Sequence, residues 1–156
     1  MSTPDRRYKY PLEPMRRKRE WERDGLGHEL SRIEAAAAAQ RRRLEETQEA
    51  FSRARKQWQE QVGANRALDL GLQRVLSAYF ADAGRAMESR KKELDATLES
   101  RAAAAERLTK AQQVLDGIER HKTKLAKEHR RGELAREYRE IDSAWIQGTV
   151  HQGRKG

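Results

Sequence analysis

The chain has 156 residues, of which 38% are charged and 6% are aromatic, and it carries a formal net charge of +9. A compact globule of this length needs more large apolar side chains for its core, so the composition favours long helices over an ordinary globular domain. The absence of cysteine excludes disulfides and thiolate sites, and the positive charge predicts partners with acidic or anionic surfaces.

An apolar stripe with coiled-coil spacing runs between residues 26 and 58. Its members are separated by alternating steps of four and three residues, and two of them, Gln40 and Thr47, are polar: Leu26, Leu30, Ile33, Ala37, Gln40, Leu44, Thr47, Phe51, Ala54 and Trp58. The positions between them are mostly charged or amide residues, which is the pattern of a helix with one narrow apolar face. It predicts a first helix over about residues 13–62. Gly25 and Gly27 are its weak point, because glycine disfavours a helix interior by about 1 kcal/mol relative to alanine.

The next interruption of the pattern lies at residues 63–65, Gly-Ala-Asn. Glycine suits the position after a helix and asparagine caps the start of the next one, so a turn is predicted over about residues 63–71. The stripe then resumes and predicts a second helix over about residues 72–146, followed by a frayed tail at residues 147–156. A turn at residues 81–84 is the alternative. It would give helices of more equal length but would break the apolar register.

Two runs of alanine, at residues 35–39 and 102–105, suggest how the helices pair. Small residues on both helices would let the two backbones approach closely. If the runs face each other, the midpoint of the pairing falls near residue 70, inside the predicted turn. This pairing places Met15 beside Leu125.

The predicted fold is all-α, a long antiparallel two-helix coiled-coil hairpin with an overhanging second helix, and it forms a single domain over residues 1–156. The second helix extends past the start of the first, which leaves about residues 130–146 without an intramolecular partner. The end that carries the start of the first helix is called the open end below, and the end that carries the turn is called the tip.

The sequence offers no constellation typical of catalysis or metal binding. The four histidines (His28, His121, His129 and His151) do not recur at metal-ligand spacings, and we expect them to be solvated surface residues. Acid–base catalysis needs desolvated groups with shifted pKa values, which a two-helix stripe is ill suited to supply. No catalytic residue, cofactor site, metal site or small-molecule substrate is therefore predicted, and the chain is not expected to be an enzyme.

No apolar run approaches the roughly 18 residues needed to span a bilayer. The first ten residues are basic and lead into Pro11 and further charge rather than into an apolar segment, so no cleavable secretory signal is predicted. We therefore expect the chain to be in the cytoplasm.

Aromatic and basic residues concentrate at the two ends of the predicted hairpin. The aromatic residues in question are Trp21, Phe51, Trp58, Tyr79, Phe80, Tyr138 and Trp145. The open end also gathers cations on both helices, namely Arg16, Arg17, Lys18, Arg19, Arg23, Lys122, Lys124, Lys127, Arg130 and Arg131. Aromatic side chains can simply fill a splayed helix end, but Trp145 lies in the overhang with nothing to pack against. These features favour a docking surface at each end.

The layout resembles a known family over about residues 8–145. A basic-aromatic start at residues 10–21 (YPLEPMRRKREW) precedes the heptad helix, and a Gly/Asn turn with Leu72, Leu76 and Phe80 follows it. A long charged second helix then completes the pattern. This layout is similar to that of the FliJ/YscO family, the small stalk proteins of flagellar and injectisome type III secretion systems. The YPLEP sequence leans toward the injectisome branch.

The resemblance implies a non-enzymatic central-stalk and adaptor protein. Its open end would enter a hexameric secretion ATPase and its tip would face the export gate; some family members also bind secretion chaperones. The implied ATPase-facing residues are Arg16, Arg17, Arg19, Lys124, Arg130, Arg131 and Trp145. The implied gate-facing residues are Phe51, Trp58, Leu72, Leu76, Tyr79 and Phe80. The chain would work in the cytoplasm at the inner face of the secretion apparatus, contact the membrane only through partners and use no cofactor. Gly25 and Gly27, which could bend the shaft, depart from this pattern.

Two other interpretations stay open on the residues alone. A generic oligomeric scaffold would form a four-helix dimer that buries Leu134, Tyr138, Ile141 and Trp145. A basic coiled coil that binds nucleic acid would explain the net charge. Against it, glutamates are interspersed along both helices, and no acid-free basic region precedes a zipper. Nucleic acid is therefore not an expected partner.

Overall fold

A computed structural model of the chain describes residues 8–63 and 70–154, and these residues form two long helices without any strand. Helix α1 comprises Glu13–Gly63 and helix α2 comprises Leu70–Gly153. Alanine, leucine, glutamate, glutamine, lysine and arginine are frequent in both helices, and these residues lose little side-chain freedom in a helical backbone. The predicted all-α helical hairpin is confirmed.

The helix ends differ from the sequence expectation at the C-terminal side. Helix α1 begins at Glu13 and ends at Gly63, and the predicted turn falls mainly on residues 64–69, which lie outside the described residues. The alternative turn at residues 81–84 is wrong, because these residues lie inside α2. The tail expected to fray from residue 147 is helical as far as Gly153. It contains no proline that would stop the helix.

The start of α1 is held by local hydrogen bonds. The amide of Glu13 donates to the carbonyl of Tyr10 at 3.1 Å, and the amide of Arg16 donates to the carbonyl of Leu12 at 2.9 Å. Pro14 lies in the first turn, where its missing amide hydrogen removes no helical bond. The acidic Glu13 also complements the positive end of the helix dipole. Residues 8–12 therefore lead directly into the helix.

Contacts group the chain into two compact units. Unit 1 comprises Met1–Arg23 with Lys110–Gly156, and unit 2 comprises Asp24–Thr109. The boundary on α1 falls next to Gly25, where the sequence predicts a weak point in the helix. The helix itself is continuous through Gly25 and Gly27.

In unit 2, the pieces of α1 and α2 run antiparallel. Glu29 binds Arg107 at 3.3 Å, and further along α1 the ring of Phe51 lies against the ring of Phe80. One core cluster consists of the buried residues Ala37, Leu44 and Leu94, with Leu98 packed against them. This narrow core is what a two-helix pair can bury, since each helix contributes one stripe.

The expectation that the two alanine runs face each other is wrong. Ala37, at the centre of the first run, belongs to a cluster with Leu94 and Leu98. Ala104, from the second run, is 1% exposed. An alanine opposite a leucine fills the space between two helices better than an alanine opposite an alanine, because a buried gap forfeits dispersion contacts.

In unit 1, the register between α1 and α2 also differs from the predicted one. The sequence predicts Met15 beside Leu125, but Glu13 and Arg16 bind Lys122 and Glu119 instead. The pairing is therefore displaced along α2 by about five residues, or roughly one and a half helical turns, from the predicted one. The order of contacts is still antiparallel, as predicted.

Beyond these contacts, α2 continues through the predicted overhang of about residues 130–146 to Gly153, and residues 130–153 are called the overhang below. Every residue from 134 to 154 is exposed. The overhang contains Leu134, Tyr138, Ile141 and Trp145, which are between 51% and 70% exposed. These four residues are called the overhang stripe below.

Candidate binding surfaces

The open end contains a network of ion pairs that ties α1 to α2. Arg16 binds Glu13 at 2.8 Å, Glu20 at 3.1 Å and Glu119 at 3.0 Å. Lys122 binds the second carboxylate oxygen of Glu13 at 3.2 Å. The side chain of Arg16 is only 17% exposed. Arg16 is thus placed in an intramolecular contact, although the family resemblance implies a role for it in docking.

Two members of this network, Glu13 and Arg16, have shifted pKa values. The hydrogen bond from Arg16 is the main cause that lowers the pKa of Glu13 from 4.5 to about 2; partial burial opposes the shift, and Lys122 adds to it. The hydrogen bond to Glu13 in turn raises the pKa of Arg16. Both shifts favour the charged forms, so the network is an ion-pair cluster at neutral pH.

Two tyrosines of the segment before α1 contact two histidines of α2. The hydroxyl of Tyr10 and Nδ1 of His121 share a hydrogen bond of 2.7 Å, and their ring centroids lie 5.8 Å apart. The rings of Tyr8 and His129 lie 5.0 Å apart. Tyr10 is buried and Tyr8 is half-buried. His121 is still exposed, as expected for a surface histidine, whereas His129 is half-buried.

Sequence reasoning missed this tyrosine–histidine contact, although a signal was present. His121 and His129 are eight residues apart on a helix and therefore lie near one face. Tyr8 and Tyr10 are two residues apart in a non-helical segment, so their side chains can point the same way. Matching the two spacings would have suggested the contact.

The other cations implied to face an ATPase are more accessible. The side chain of Arg17 is 76% exposed and lies 3.7 Å from Glu13. Arg19 is paired with Glu22 at 3.3 Å along α1. Lys124 and Arg131 line a shallow groove on one face of α2, whose other lining residues are Glu119, Arg120, Thr123, Lys127 and Glu128. Arg130 is exposed beside them. The groove mixes both signs of charge, with cations in excess.

The overhang stripe does not continue the face of α2 that contacts α1. That face carries Leu115, which is buried, and Leu125, which is half-buried. Leu134 follows Leu125 by nine residues, or about 2.5 helical turns, so the two side chains point to opposite sides of α2. The stripe therefore faces away from the contact with α1, and Trp145 is accessible at 70% exposure.

At the tip, the predicted residues form one aromatic cluster and an exposed margin. Phe51 and Tyr79 both pack edge-on against Phe80, with ring centroids 5.5 Å apart in each case. Trp58 and Leu76 are half-buried, whereas Tyr79 and Leu72 are about half exposed. Three further apolar residues that the sequence analysis did not single out are exposed here, namely Val62, Leu70 and Val75.

Within residues 8–63 and 70–154, no group of three or more acidic or histidine residues is arranged to hold a metal ion. None of the helical segments that the structure describes is long and apolar enough to cross a membrane. Comparison with family models, with curated proteins and with solved structures finds no match to this chain.

Proposed function

We propose that this chain is a non-enzymatic central-stalk and adaptor protein of a bacterial type III secretion apparatus. Its open end binds the hexameric export ATPase and its tip binds the export gate. The proposal rests on the resemblance to the FliJ/YscO family and on one structural observation, the overhang stripe with Trp145 at 70% exposure. A helix that presents four large apolar side chains to solvent in one row is typical of a surface that a protein partner covers.

The ion pairs of the open end bear on which residues we assign to the ATPase contact. Arg16 holds α1 to α2 through Glu13 and Glu119, so its role is to position the open end rather than to dock. Arg17 and the α2 cations Lys124, Arg130 and Arg131 are exposed and available to an acidic partner surface. Long-range attraction brings such surfaces together, and an apolar anchor such as Trp145 then supplies most of the affinity.

The tip presents a second apolar surface, which suits a second partner. Leu72 and Tyr79 are exposed at this end of the chain, and so are Val62, Leu70 and Val75. The edge-on contact between the rings of Phe51 and Phe80 helps to hold the two helices together at this surface. In the proposed function this end contacts the export gate, and secretion chaperones are further partners. The chain works on the cytoplasmic side of the apparatus and needs no cofactor.

The proposal is tested with a purified hexameric type III ATPase. The full chain is expected to co-purify with the ring and to change its rate of ATP hydrolysis. A triple charge reversal on the open end, Arg17→Glu with Lys124→Glu and Arg131→Glu, is expected to weaken binding by roughly tenfold or more and to make the remaining affinity insensitive to salt.

The matched control carries the same change of charge in unit 2, at the exposed residues Arg42, Lys91 and Lys92. This triple variant is expected to bind the ring as the unmodified chain does. Circular dichroism shows whether either variant has lost helix. Failure of the unmodified chain to bind the ring or to alter hydrolysis contradicts the proposed function, and so does equal weakening by both triple variants.

A further inference from the structure

The overhang stripe has a spacing that reads the same in both directions. Its four residues are separated by steps of four, three and four, with Leu134 and Trp145 at the ends and Tyr138 and Ile141 between them. In coiled-coil terms, the two aliphatic residues occupy d positions and the two aromatic residues occupy a positions. A second helix that runs in the opposite direction can therefore meet this stripe with an identical stripe.

We propose that a second copy of this chain covers the overhang stripe through antiparallel pairing of the two overhangs. A two-fold axis between residues 139 and 140 places Trp145 opposite Leu134 of the second copy. It also places Tyr138 opposite Ile141 of the second copy, and the two remaining layers follow by symmetry. Each layer then combines one large aromatic side chain with one aliphatic side chain, and the interface is self-complementary, as two-fold symmetry requires.

The residues that flank the stripe suit this pairing. Ala135 and Ala144 lie on either side of it, and small side chains there let two helix backbones approach closely. Glu137 and Asp142 are the charged residues directly beside the stripe, at a g and an e position. In an antiparallel pair g positions meet g positions and e positions meet e positions, so Glu137 neighbours Ala144 of the second copy and Asp142 neighbours Ala135 of the second copy. The pairing therefore opposes no like charges across the helix–helix interface.

The charge of the overhang also points to a second copy rather than to a strongly charged partner. The basic residues within residues 130–153 are Arg130, Arg131, Arg136 and Arg139, and the acidic residues are Glu133, Glu137, Glu140 and Asp142. The overhang thus carries no net charge, whereas the whole chain carries +9. Two neutral helices can pair without the repulsion that the rest of the chain would impose.

The amount of surface available sets the strength of the pairing. Eight large side chains, four from each copy, bury on the order of 1,000 Å² in total, because an aromatic side chain alone contributes about 150–250 Å² when fully covered. This is near the lower limit of specific interfaces, so the dimer is weak and reversible, with a dissociation constant on the order of micromolar.

This inference goes beyond the proposed function and stands without it. It assigns Trp145 to a contact between copies, while the proposed function assigns the same residue to the ATPase. Self-pairing and ATPase binding then compete for one surface. The experiment below uses the isolated chain, so its failure does not bear on binding to the ATPase.

Sedimentation of the full chain is expected to show a monomer–dimer equilibrium between about 1 and 100 micromolar. The double variant Tyr138→Ala with Trp145→Ala is expected to raise the dissociation constant by roughly tenfold or more. Trp21→Ala, which removes a tryptophan that is 76% exposed outside the overhang, is the matched control and is expected to leave the equilibrium unchanged. A monomer at every concentration overturns the proposal, as does a dimer that the double variant leaves intact.

Cross-linking tests the direction and register of the pairing, and the absence of native cysteine makes the result clean. One variant carries Leu134→Cys and the other carries Trp145→Cys. A short bis-maleimide is expected to link the two variants when they are mixed, because the thiol at position 134 of one copy then faces the thiol at position 145 of the other. At the opposite end of the interface, the mixed dimer keeps its native pair of Trp145 and Leu134. Each variant alone is expected to stay unlinked, since its own thiols lie about 16 Å apart along the axis. Linking of either variant alone, or none in the mixture, overturns the proposed register.

Discussion

The hydroxyl of Tyr10 lies 2.7 Å from Nδ1 of His121, although 111 residues separate the two in the chain. Tyr10 precedes the first residue of α1 and is buried, so the segment before α1 is already packed at the open end. The Glu13–Arg16 network follows directly along the chain. The start of α1 is thus held to α2 by an aromatic contact and an ion-pair cluster within a few residues of each other.

Tyr10→Phe removes the hydrogen bond and keeps the ring contact, and it is expected to lower the free energy of unfolding of the open end by about 1 kcal/mol. Amide hydrogen exchange at the start of α1 measures this change, because a local opening need not alter global unfolding. Tyr138→Phe removes an exposed hydroxyl and is the matched control, with an expected effect within about 0.5 kcal/mol. Equal exchange rates in both variants would contradict the assigned hydrogen bond.

The pH dependence of the open end follows from Glu13. Its pKa is lowered from 4.5 to about 2, so the folded state favours the carboxylate. The stabilisation from this group is therefore fully present above about pH 4.5 and is lost as the pH falls through about 2. Hydrogen exchange at the start of α1 is expected to accelerate over this interval beyond what the intrinsic rate explains.

Glu13→Gln is expected to remove that pH-dependent component, because the amide does not titrate. Glu88→Gln changes an exposed glutamate of α2 and is the matched control, with the pH dependence at the open end retained. Persistence of the full acid-dependent opening in Glu13→Gln would show that another group causes it.

The glycines near the boundary between the two compact units allow a prediction about the stability of α1. A Cβ atom added at Gly25 or at Gly27 meets nothing within 4 Å, and both residues are helical. Gly25→Ala and Gly27→Ala are therefore each expected to stabilise the chain by up to about 1 kcal/mol in urea unfolding. The reverse change at the exposed Ala36 is expected to destabilise it by a similar amount. Destabilisation by the glycine substitutions would mean that the helix must bend there.

The narrow core of unit 2 should be sensitive to truncation. Leu44 is 8% exposed and belongs to the cluster with Ala37 and Leu94. Leu44→Ala is expected to lower the free energy of unfolding by about 2–4 kcal/mol, because it removes apolar contacts and leaves a gap. Leu72→Ala, at a residue that is 49% exposed, is the matched control with an expected loss below about 1 kcal/mol. A larger loss at Leu72 would place the core elsewhere.

The fold was predictable because the apolar stripe of α1 repeats without interruption from Leu26 to Trp58. Such a repeat identifies a helix and its buried face before any contact is known. The register between the helices was not predictable in the same way. Alanine runs mark where backbones can approach, but they do not determine which side chain lies opposite each alanine, and Ala37 clusters with Leu98 rather than with the other run.

The sequence could predict which regions carry the candidate surfaces, but not which contacts their residues make. The exposed row from Leu134 to Trp145 follows from spacing, since a helix period places these residues on one side. The engagement of Arg16 with Glu13 and Glu119 depends on the register, so composition alone presents Arg16 as one more surface cation. The contact of Tyr10 with His121 involves a segment that has no helical period, so only the matched spacings of the two tyrosines and the two histidines indicate it.

Photo-cross-linking tests the assignment of the two ends most directly. A photoreactive residue replaces Trp145 in one variant and Tyr79 in another, and each is irradiated with the ATPase ring and the export gate together. The account predicts that residue 145 links to the ATPase and that residue 79 links to the gate. Links to neither partner, or the reverse assignment of partners to ends, would contradict it.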